Sequence, residues 1–186
     1  MARYGALLDA CTMVPVVLTD TLLRVAERGL YRPLWSRAIL DEAQDAVLAV
    51  HPHLDREAVG RRFQDMNHTF EDALVTGWES LVDGIDLPDP DDRHVVAAAM
   101  RGGAQAIVTS NVKDFPDSTL ARLDLATVHP DTFLLDQLDL APPVVLDVLR
   151  EQAAQTRRPK FDVEDVIARL SRAGAAGFAD EVARHP

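Results

Sequence analysis

The sequence is poor in cysteine, in long apolar runs and in basic charge. Its 186 residues include one cysteine, Cys11, so neither an internal disulfide nor a cysteine-based zinc site can form within the chain. No uncharged run approaches the roughly 18 residues that a membrane span requires. The first stretch, MARYGALLDACT, has no long apolar region and no cleavage signal. We therefore expect a cytoplasmic protein without a membrane segment.

Basic residues are clearly outnumbered by acidic ones. The chain has 19 Lys and Arg against 30 Asp and Glu, which gives a formal net charge of −11. This balance argues against nonspecific binding of nucleic acid, which depends on Lys and Arg. However, an acidic excess gathered in one pocket attracts phosphate once a divalent cation fills that pocket. The positions of the acids must therefore decide between a solvated acidic surface and a metal pocket.

The order of apolar runs and helical patterns predicts an α/β fold. Strands are expected at residues 4–8, 81–87, 106–109 and 125–128. Helices are expected at residues 16–28, 34–50, 55–68, 91–101 and 131–138, with residues 69–76 continuing the third helical region. Because helices and strands alternate, we predict a mainly parallel central sheet flanked by helices.

The pattern changes at Pro142-Pro143, where the strands end. Three helical stretches follow at residues 144–155, 162–172 and 175–184. The length of the chain fits one domain with an appendage. We predict an α/β domain over residues 1–140 and a C-terminal helical extension over residues 141–186.

Four acids stand at the ends or on the inward sides of predicted buried elements. Asp9 follows the first strand, and Asp114 follows the strand at 106–109. Asp92 begins the central helix, and Glu42 lies on or beside the apolar stripe of the second. The carboxyl ends of parallel strands meet at one sheet edge, where ligands bind. Oxygen ligands of this kind suit Mg²⁺ and Mn²⁺.

Each of these acids also has a purely structural interpretation. Asp9 could cap a helix or form a salt bridge, and Asp92 could cap its helix or compensate the helix dipole. Glu42 could reach into solvent, and Asp114 could be a solvated turn residue. The neighbouring acids Asp86 and Asp89 are expected in a loop, and Asp91 could serve as a cap.

Taken together, these segments resemble the PIN-domain nucleases, and among them the VapC-type toxin ribonucleases of bacterial toxin–antitoxin pairs. The resemblance spans Leu7 to Leu138 and is carried by LLDAC, ILDEAQDAV, DDRHVVAAAMRGGAQAIVTSNVKDFP and HPDTFLLDQL. It implies that four catalytic acids hold one or two Mg²⁺ or Mn²⁺ ions. These acids are Asp9, Glu42, Asp92 and Asp114.

The resemblance also assigns supporting residues. Many members have aspartate where Asn111 stands, and members with asparagine there use a later aspartate, so Asn111 and Asp114 both stay candidates. Thr109 and Ser110 match small hydroxyl residues that support the site. Arg93 and Lys113 lie beside the acids and are expected to contact RNA. Further basic candidates are Arg24, Arg28, Arg32, Arg37 and His94.

The resemblance implies a metal-dependent endoribonuclease, the toxin of a type II toxin–antitoxin pair. Such an enzyme hydrolyses RNA phosphodiester bonds with an activated water, is neutralised by a small antitoxin protein and forms a homodimer. Two alternatives stay open. One is a catalytically inactive PIN-like binding module, for which Asn111 is the hint. The other is a phosphatase of haloacid-dehalogenase type, suggested by LLDACT, although Cys11 replaces its second aspartate.

Overall fold

The computed structural model describes residues 4–185, and a five-stranded parallel sheet is its central feature. The order is β3-β2-β1-β4-β5. The strands are β1 (Gly5–Leu8), β2 (Arg32–Ser36), β3 (Leu74–Val75), β4 (Ala106–Val108) and β5 (Ala126–Val128). The chain builds outward from β1 to β3 on one side and then to β5 on the other. The predicted α/β class with a parallel sheet is thus confirmed, and a topological switch point lies between β1 and β4.

Helices connect these strands, and short 3-10 helices and loops complete the described chain. Most of the α-helices lie close to the predicted positions, apart from the differences given below. The α-helices are α1 (Ala10–Met13), α2 (Val16–Glu27), α3 (Arg37–Val50), α4 (Arg56–Thr69), α5 (Arg93–Gly102), α6 (Asp117–Leu120), α7 (Pro130–Leu140), α8 (Pro142–Gln155), α9 (Val163–Arg172) and α10 (Ala176–Val182).

The chain forms two compact units. Unit 1 comprises the segment up to Val14 together with Arg32–Val128, and it contains the sheet. Unit 2 comprises Pro15–Tyr31 together with the segment from His129 onward, and it is helical. The predicted division between residues 140 and 141 stays a prediction. Residues 1–3 and 186 of its two ranges lie outside the described residues.

Within unit 1, α5 packs on the sheet through its small and β-branched residues. Val95–Ala99 are all buried. The helix ends at Gly103, whose φ of 65° is the left-handed conformation that favours glycine. At Gly102 a Cβ would lie 2.8 Å from Val75 and 3.2 Å from Leu34, so this end of α5 approaches β2 and β3 closely. The predicted C-terminal glycine stop is confirmed, and it fixes the distance of α5 from the sheet.

Three predicted elements are wrong. The helix predicted to begin at Leu34 begins at Arg37, because Leu34 lies in β2 and Ser36 caps α3 by accepting the Ile39 N–H at 3.2 Å. The helical region does not continue over residues 70–76, since α4 ends at Thr69 and Leu74–Val75 pairs with β2. The predicted strand at residues 81–87 is a 3-10 helix at Glu79–Gly84 followed by an irregular segment.

Unit 2 is held together by buried polar contacts as well as apolar packing. Thr21 on α2 donates to the Gln152 side chain of α8 at 2.8 Å, and Gln152 donates to the Val17 carbonyl at 3.0 Å. Asp131 on α7 accepts the backbone N–H groups at the start of α10, including that of Phe178 at 2.8 Å. These contacts confirm that helices dominate the C-terminal part of the chain.

Candidate active site

Asp9 lies where β1 ends, and its carboxylate is almost fully buried, with 7% exposure. It occupies the N-cap position of α1 and accepts the Ala10 N–H on Oδ1 at 2.7 Å. The Thr109 hydroxyl, just past β4, donates to Oδ2 at 2.7 Å. The capping interpretation of Asp9 is therefore confirmed. The same contacts fix the carboxylate at the sheet edge where ligands bind.

Cys11 and Thr109 each donate a hydrogen bond to the same carboxylate oxygen of Asp9, and each accepts a backbone N–H from the segment after β4. The Cys11 thiol donates to Oδ2 at 3.2 Å, and its sulfur accepts the Ser110 N–H at 3.3 Å. The Thr109 oxygen accepts the Asn111 N–H at 3.0 Å. Burial and the nearby Asp9 charge raise the pKa of the Cys11 thiol, which keeps it a neutral S–H donor. The backbone after β4 thus supports the carboxylate after β1.

Asp92 stands immediately before α5, but its side chain accepts no capping hydrogen bond. Asp89, which we expected to be a simple loop residue, is the residue that caps here, by accepting the Asp91 N–H at 2.9 Å. Burial raises the pKa of Asp92 to about 6, and the charges of Asp9, Asp89 and Asp114 raise it further, while His94 opposes them. Asp92 is therefore half-buried among other acids rather than engaged in capping.

Asp114 belongs to the turn after β4, within the 3-10 helix Val112–Asp114. The Asn111 side-chain amide donates to the Asp114 carboxylate. Phe115, which follows, is buried and anchors the turn. Asn111 and Asp114, the two candidates for the fourth catalytic position, are thus in contact, and the Asn111 amide orients the Asp114 carboxylate.

Glu42 reaches the site through a histidine. The Glu42 carboxylate and His94 Nε2 are 2.9 Å apart, with 52% and 14% of their side chains exposed. Burial lowers the pKa of His94, but the Glu42 contact and the Asp9 and Asp92 charges outweigh it, so that the pKa is raised. His94 also lies 5.8 Å from the Trp78 ring. Glu42 is half-exposed, as its structural interpretation expects, but it is paired with a residue that faces the acids.

The predicted RNA-contacting residues differ in their environment. Arg93 is half-buried, and its Nε has no hydrogen-bond partner among the described residues. Lys113 is exposed beside Asp114. The other arginines proposed for RNA are engaged elsewhere. Their partners are Asp20 for Arg24, Glu151 for Arg28, the Gly102 carbonyl for Arg32 and Asp41 for Arg37.

The chemistry of the donor set fits a hard divalent cation. Asp9, Asp92 and Asp114 supply carboxylate oxygens. After burial, the charges of Asp9 and Asp114 contribute to the raised pKa of Asp92. As these side chains stand, no three His, Cys, Asp or Glu residues in the described chain are grouped closely enough to hold a metal ion. Like charges spread apart in the absence of a counter-charge, so a bound cation would have to draw them together.

The sequence analysis assigned Cys11 no place in this site and named His94 only as a basic candidate for contacting RNA. Cys11 and His94 act on the acids rather than as expected ligands. The spacing Asp9-x-Cys11 was a usable signal, because a residue two positions after a helix N-cap can face back toward it. For His94 the signal was weaker, since its contact with Glu42 joins residues 52 positions apart.

Comparison with known proteins establishes the family. A model of the PIN domain matches residues 5–113, more than half of the sequence, so the chain belongs to the PIN domain family. A second family model, described as the VapC50 C-terminal domain, matches residues 130–184. The predicted resemblance is confirmed.

One relative is similar over a short stretch. It is named "Putative ribonuclease VapC50" and comes from Mycobacterium tuberculosis. The two chains are 59% identical over 49 residues, which is 26% of this chain and 29% of the relative. No solved structure matches. Among the described residues, no helix has the length and apolarity to cross a membrane.

Proposed function

We propose that the chain is a divalent-metal-dependent endoribonuclease and the toxin of a type II toxin–antitoxin pair. The PIN domain match and the relative named as a ribonuclease support a nuclease. The observation that carries the proposal is the proximity of half-buried Asp92 to Asp9 and Asp114. Burial, together with the charges of these acids and of Asp89, raises the pKa of Asp92 to about 6. A pocket with several carboxylates suits a cation that binds phosphate.

Each residue of the site has a distinct role in this proposal. Asp9, Glu42, Asp92 and Asp114 would hold one or two Mg²⁺ or Mn²⁺ ions. Such ions, when bound, supply charge neutralisation at the phosphate and activation of a water. Thr109 holds Asp9 in one orientation, and Asn111 does so for Asp114. The remaining supporting residues are Ser110, whose N–H reaches Cys11, and the basic pair Arg93 and Lys113.

The partners follow from the same proposal. The substrate is RNA, and a small antitoxin protein neutralises the enzyme, as in the VapC-type toxins that the sequence resembles. We further propose a cytoplasmic homodimer. These three statements are tested by co-expression, by mass measurement in solution and by fractionation of cells.

An inactive binding module is the rival that a specific observation favours. No group of three metal-ligating side chains is formed among residues 4–185, and Asn111 stands where many relatives have a carboxylate. A module of this kind binds RNA or a protein without cutting it. The phosphatase alternative has less support, because PIN domain membership accounts for the LLDACT segment.

Cleavage of labelled total transfer RNA and ribosomal RNA by the purified full chain tests the proposal. The reactions contain Mg²⁺, Mn²⁺ or EDTA, and an Asp9→Asn variant runs beside the wild-type protein. Asp65→Asn is the matched control, because Asp65 is an exposed acid on α4. We expect cleavage with metal, none with EDTA, and at least a 100-fold loss in Asp9→Asn alone.

The opposite outcome is equally clear. If the folded protein, freed of any co-purified antitoxin, cuts no RNA under any of these conditions, the nuclease proposal is wrong. Equal activity of Asp9→Asn and Asp65→Asn would instead assign the cleavage to a contaminating nuclease. Binding of RNA without cleavage would support the inactive module.

A further inference from the structure

Several arginines of this acidic chain already form ion pairs with acids. Ion pairs of 3.8 Å or less involve seven of them in the described residues. The paired arginines are Arg24, Arg28, Arg37, Arg56, Arg61, Arg150 and Arg184. Paired cations offer less charge to a phosphate, because binding it must first displace the carboxylate. The positive surface that RNA requires therefore has to be sought among the unpaired residues.

The densest unpaired group lies between α8 and α9. Arg157, Arg158 and Lys160 are exposed, and none of them makes an ion pair within residues 4–185. We call residues 156–161 the basic loop. Its two ends are tied, because the Thr156 hydroxyl accepts the Phe161 N–H at 2.7 Å. Three cations are thus displayed on a short loop whose base is fixed.

The surroundings of the loop add further positive charge. Arg169 on α9 stacks over the Phe161 ring at 3.9 Å, and Arg172 follows one turn later. Both are exposed and lack an ion pair in the part of the chain that the structure describes. The segment also holds acids, but Asp162 and Asp165 cap α9 by binding each other's backbone N–H groups. Together with Glu164, these acids offset three of the five basic charges in residues 156–172, so the segment keeps a positive balance of two.

We propose that the basic loop binds the phosphate backbone of the RNA substrate. The inference rests on the proposed function and adds a binding surface to it in unit 2. Without a bound cation the acidic site of unit 1 repels RNA, and with one it holds a single phosphate, so basic residues that stand free of acids are suited to hold the rest of the backbone. Arginine suits this role because its guanidinium can donate two parallel hydrogen bonds to two oxygens of one phosphate. We expect binding of this kind to follow backbone charge and not base sequence.

A protein partner suits the same loop less well. Tight protein interfaces depend on apolar or aromatic anchors that enter a pocket. Phe161 is the aromatic residue of the loop, and Arg169 already covers its ring. What remains accessible on the loop is charge. This favours a polyanion with regularly spaced phosphates over an acidic protein segment.

The test removes three charges from the loop of the full chain. The variant Arg157→Gln/Arg158→Gln/Lys160→Gln is compared with Arg56→Gln/Arg61→Gln/Arg184→Gln, which removes the same charge from paired arginines. Both carry Asp9→Asn and are measured in EDTA, so that cleavage does not interfere. The probe is labelled total transfer RNA, and binding is followed by fluorescence anisotropy from 50 to 300 mM KCl.

We expect the loop variant to bind at least tenfold more weakly than the control triple variant. The slope of log K against log salt should fall by about 2, since each single-strand phosphate contact contributes about 0.7. Equal affinities and equal slopes in the two triple variants overturn the inference. The inference is also overturned if the Asp9→Asn protein with an intact loop does not bind RNA. It is overturned as well if the loop variant keeps its affinity for RNA and loses only binding of an acidic polypeptide such as polyglutamate.

A second assay separates this inference from the proposed function. When the triple substitution is made in the protein that retains Asp9, and metal is present, KM for RNA should rise and kcat should stay within about twofold, because binding rather than chemistry is affected. Loop-dependent RNA binding without any cleavage by the parent supports the loop and contradicts the nuclease. Cleavage with an unchanged KM in the loop variant supports the nuclease and contradicts the loop. Unchanged melting temperatures exclude unfolding as the cause.

Discussion

The Thr109 hydroxyl donates to Oδ2 of Asp9 across a distance of 2.7 Å, and both residues are buried. The contact joins the ends of β1 and β4, the two strands at the switch point of the sheet. It holds the carboxylate in one rotamer before any ligand arrives. Orientation by an outer hydrogen bond of this kind typically changes metal affinity by 10–100-fold when it is removed.

Thr109→Val should therefore weaken both metal binding and stability. Valine keeps the shape of threonine but leaves Asp9 Oδ2 with one donor and the Asn111 N–H without its acceptor. We expect about 10-fold lower Mn²⁺ affinity by calorimetry. The melting temperature should fall by several degrees, since an unsatisfied buried group costs about 1–3 kcal/mol. Thr109→Ser keeps the hydroxyl and is the control. An unchanged Mn²⁺ affinity in Thr109→Val contradicts the orienting role.

Cys11 should act as a hydrogen-bond donor and not as a nucleophile. Cys11→Ser keeps a donor toward Asp9 and an acceptor for the Ser110 N–H, whereas Cys11→Ala removes both. We expect Cys11→Ser to stay within about threefold of the wild-type Mn²⁺ affinity and Cys11→Ala to lose about 10-fold. Similar losses in the two variants would show that sulfur itself is required.

Asp92 should destabilise the metal-free protein at neutral and alkaline pH. Its pKa is about 6 in the fold against 3.8 for the free side chain, so the folded state binds more protons between these values. Stability is therefore lost as pH rises from about 4 through about 6, because the carboxylate ionises among other acids.

The corresponding variant is Asp92→Asn. Measured in EDTA at pH 8, it should melt about 2–4 °C higher than the wild type, which corresponds to about 1 kcal/mol after allowance for solvent screening. The difference in melting temperature should vanish below pH 4, where Asp92 of the wild type is protonated and therefore as neutral as the asparagine of the variant. Asp65→Asn, an exposed control on α4, should show no such pH dependence. A destabilised Asp92→Asn at pH 8 contradicts the interpretation.

The sequence located the elements whose signals are local. β1 and β4 are short buried runs followed by polar residues, and α5 ends at a glycine pair, so their carboxyl ends and the helix start could be placed. Asp9 could be placed because strand ends meet at one edge of a parallel sheet, and Asp92 because it begins the helix that leads into β4.

The errors arose where tertiary context decides the structure. Leu34 and Trp35 continue the apolar pattern of α3, and only the pairing of β2 with β1 and the Ser36 cap separate strand from helix. β3 has two residues and forms because β2 offers it a partner. Ile85 alternates with Leu87 as a strand would, but both are buried without a neighbouring ladder among the described residues.

Glu42 and His94 should have opposite effects on metal affinity. The distance between His94 Nε2 and Glu42 Oε1 is 2.9 Å, and the pKa of His94 is raised by Glu42 and by the charges of Asp9 and Asp92. His94→Gln removes a competing positive charge and releases Glu42, so Mn²⁺ should bind about 3–10-fold more tightly at pH 6.5, a change of roughly 1 kcal/mol. Glu42→Gln should weaken binding. If His94→Gln weakens binding as much as Glu42→Gln does, the histidine supports the ligand instead of competing with the metal.

Gly102→Ala should destabilise the fold by pushing α5 away from the sheet. A Cβ at Gly102 would lie 2.8 Å from Val75 Cγ2 and 3.2 Å from Leu34 Cδ1, which is overpacking. Such overpacking costs about 1–3 kcal/mol. Gly84→Ala is the matched control, because nothing lies within 4 Å of its Cβ position, and it should leave the melting temperature nearly unchanged. Since α5 also carries Asp92 at its start, Gly102→Ala should lower Mn²⁺ affinity as well. Equal stability of the two glycine variants would contradict the close approach of α5 to β2 and β3.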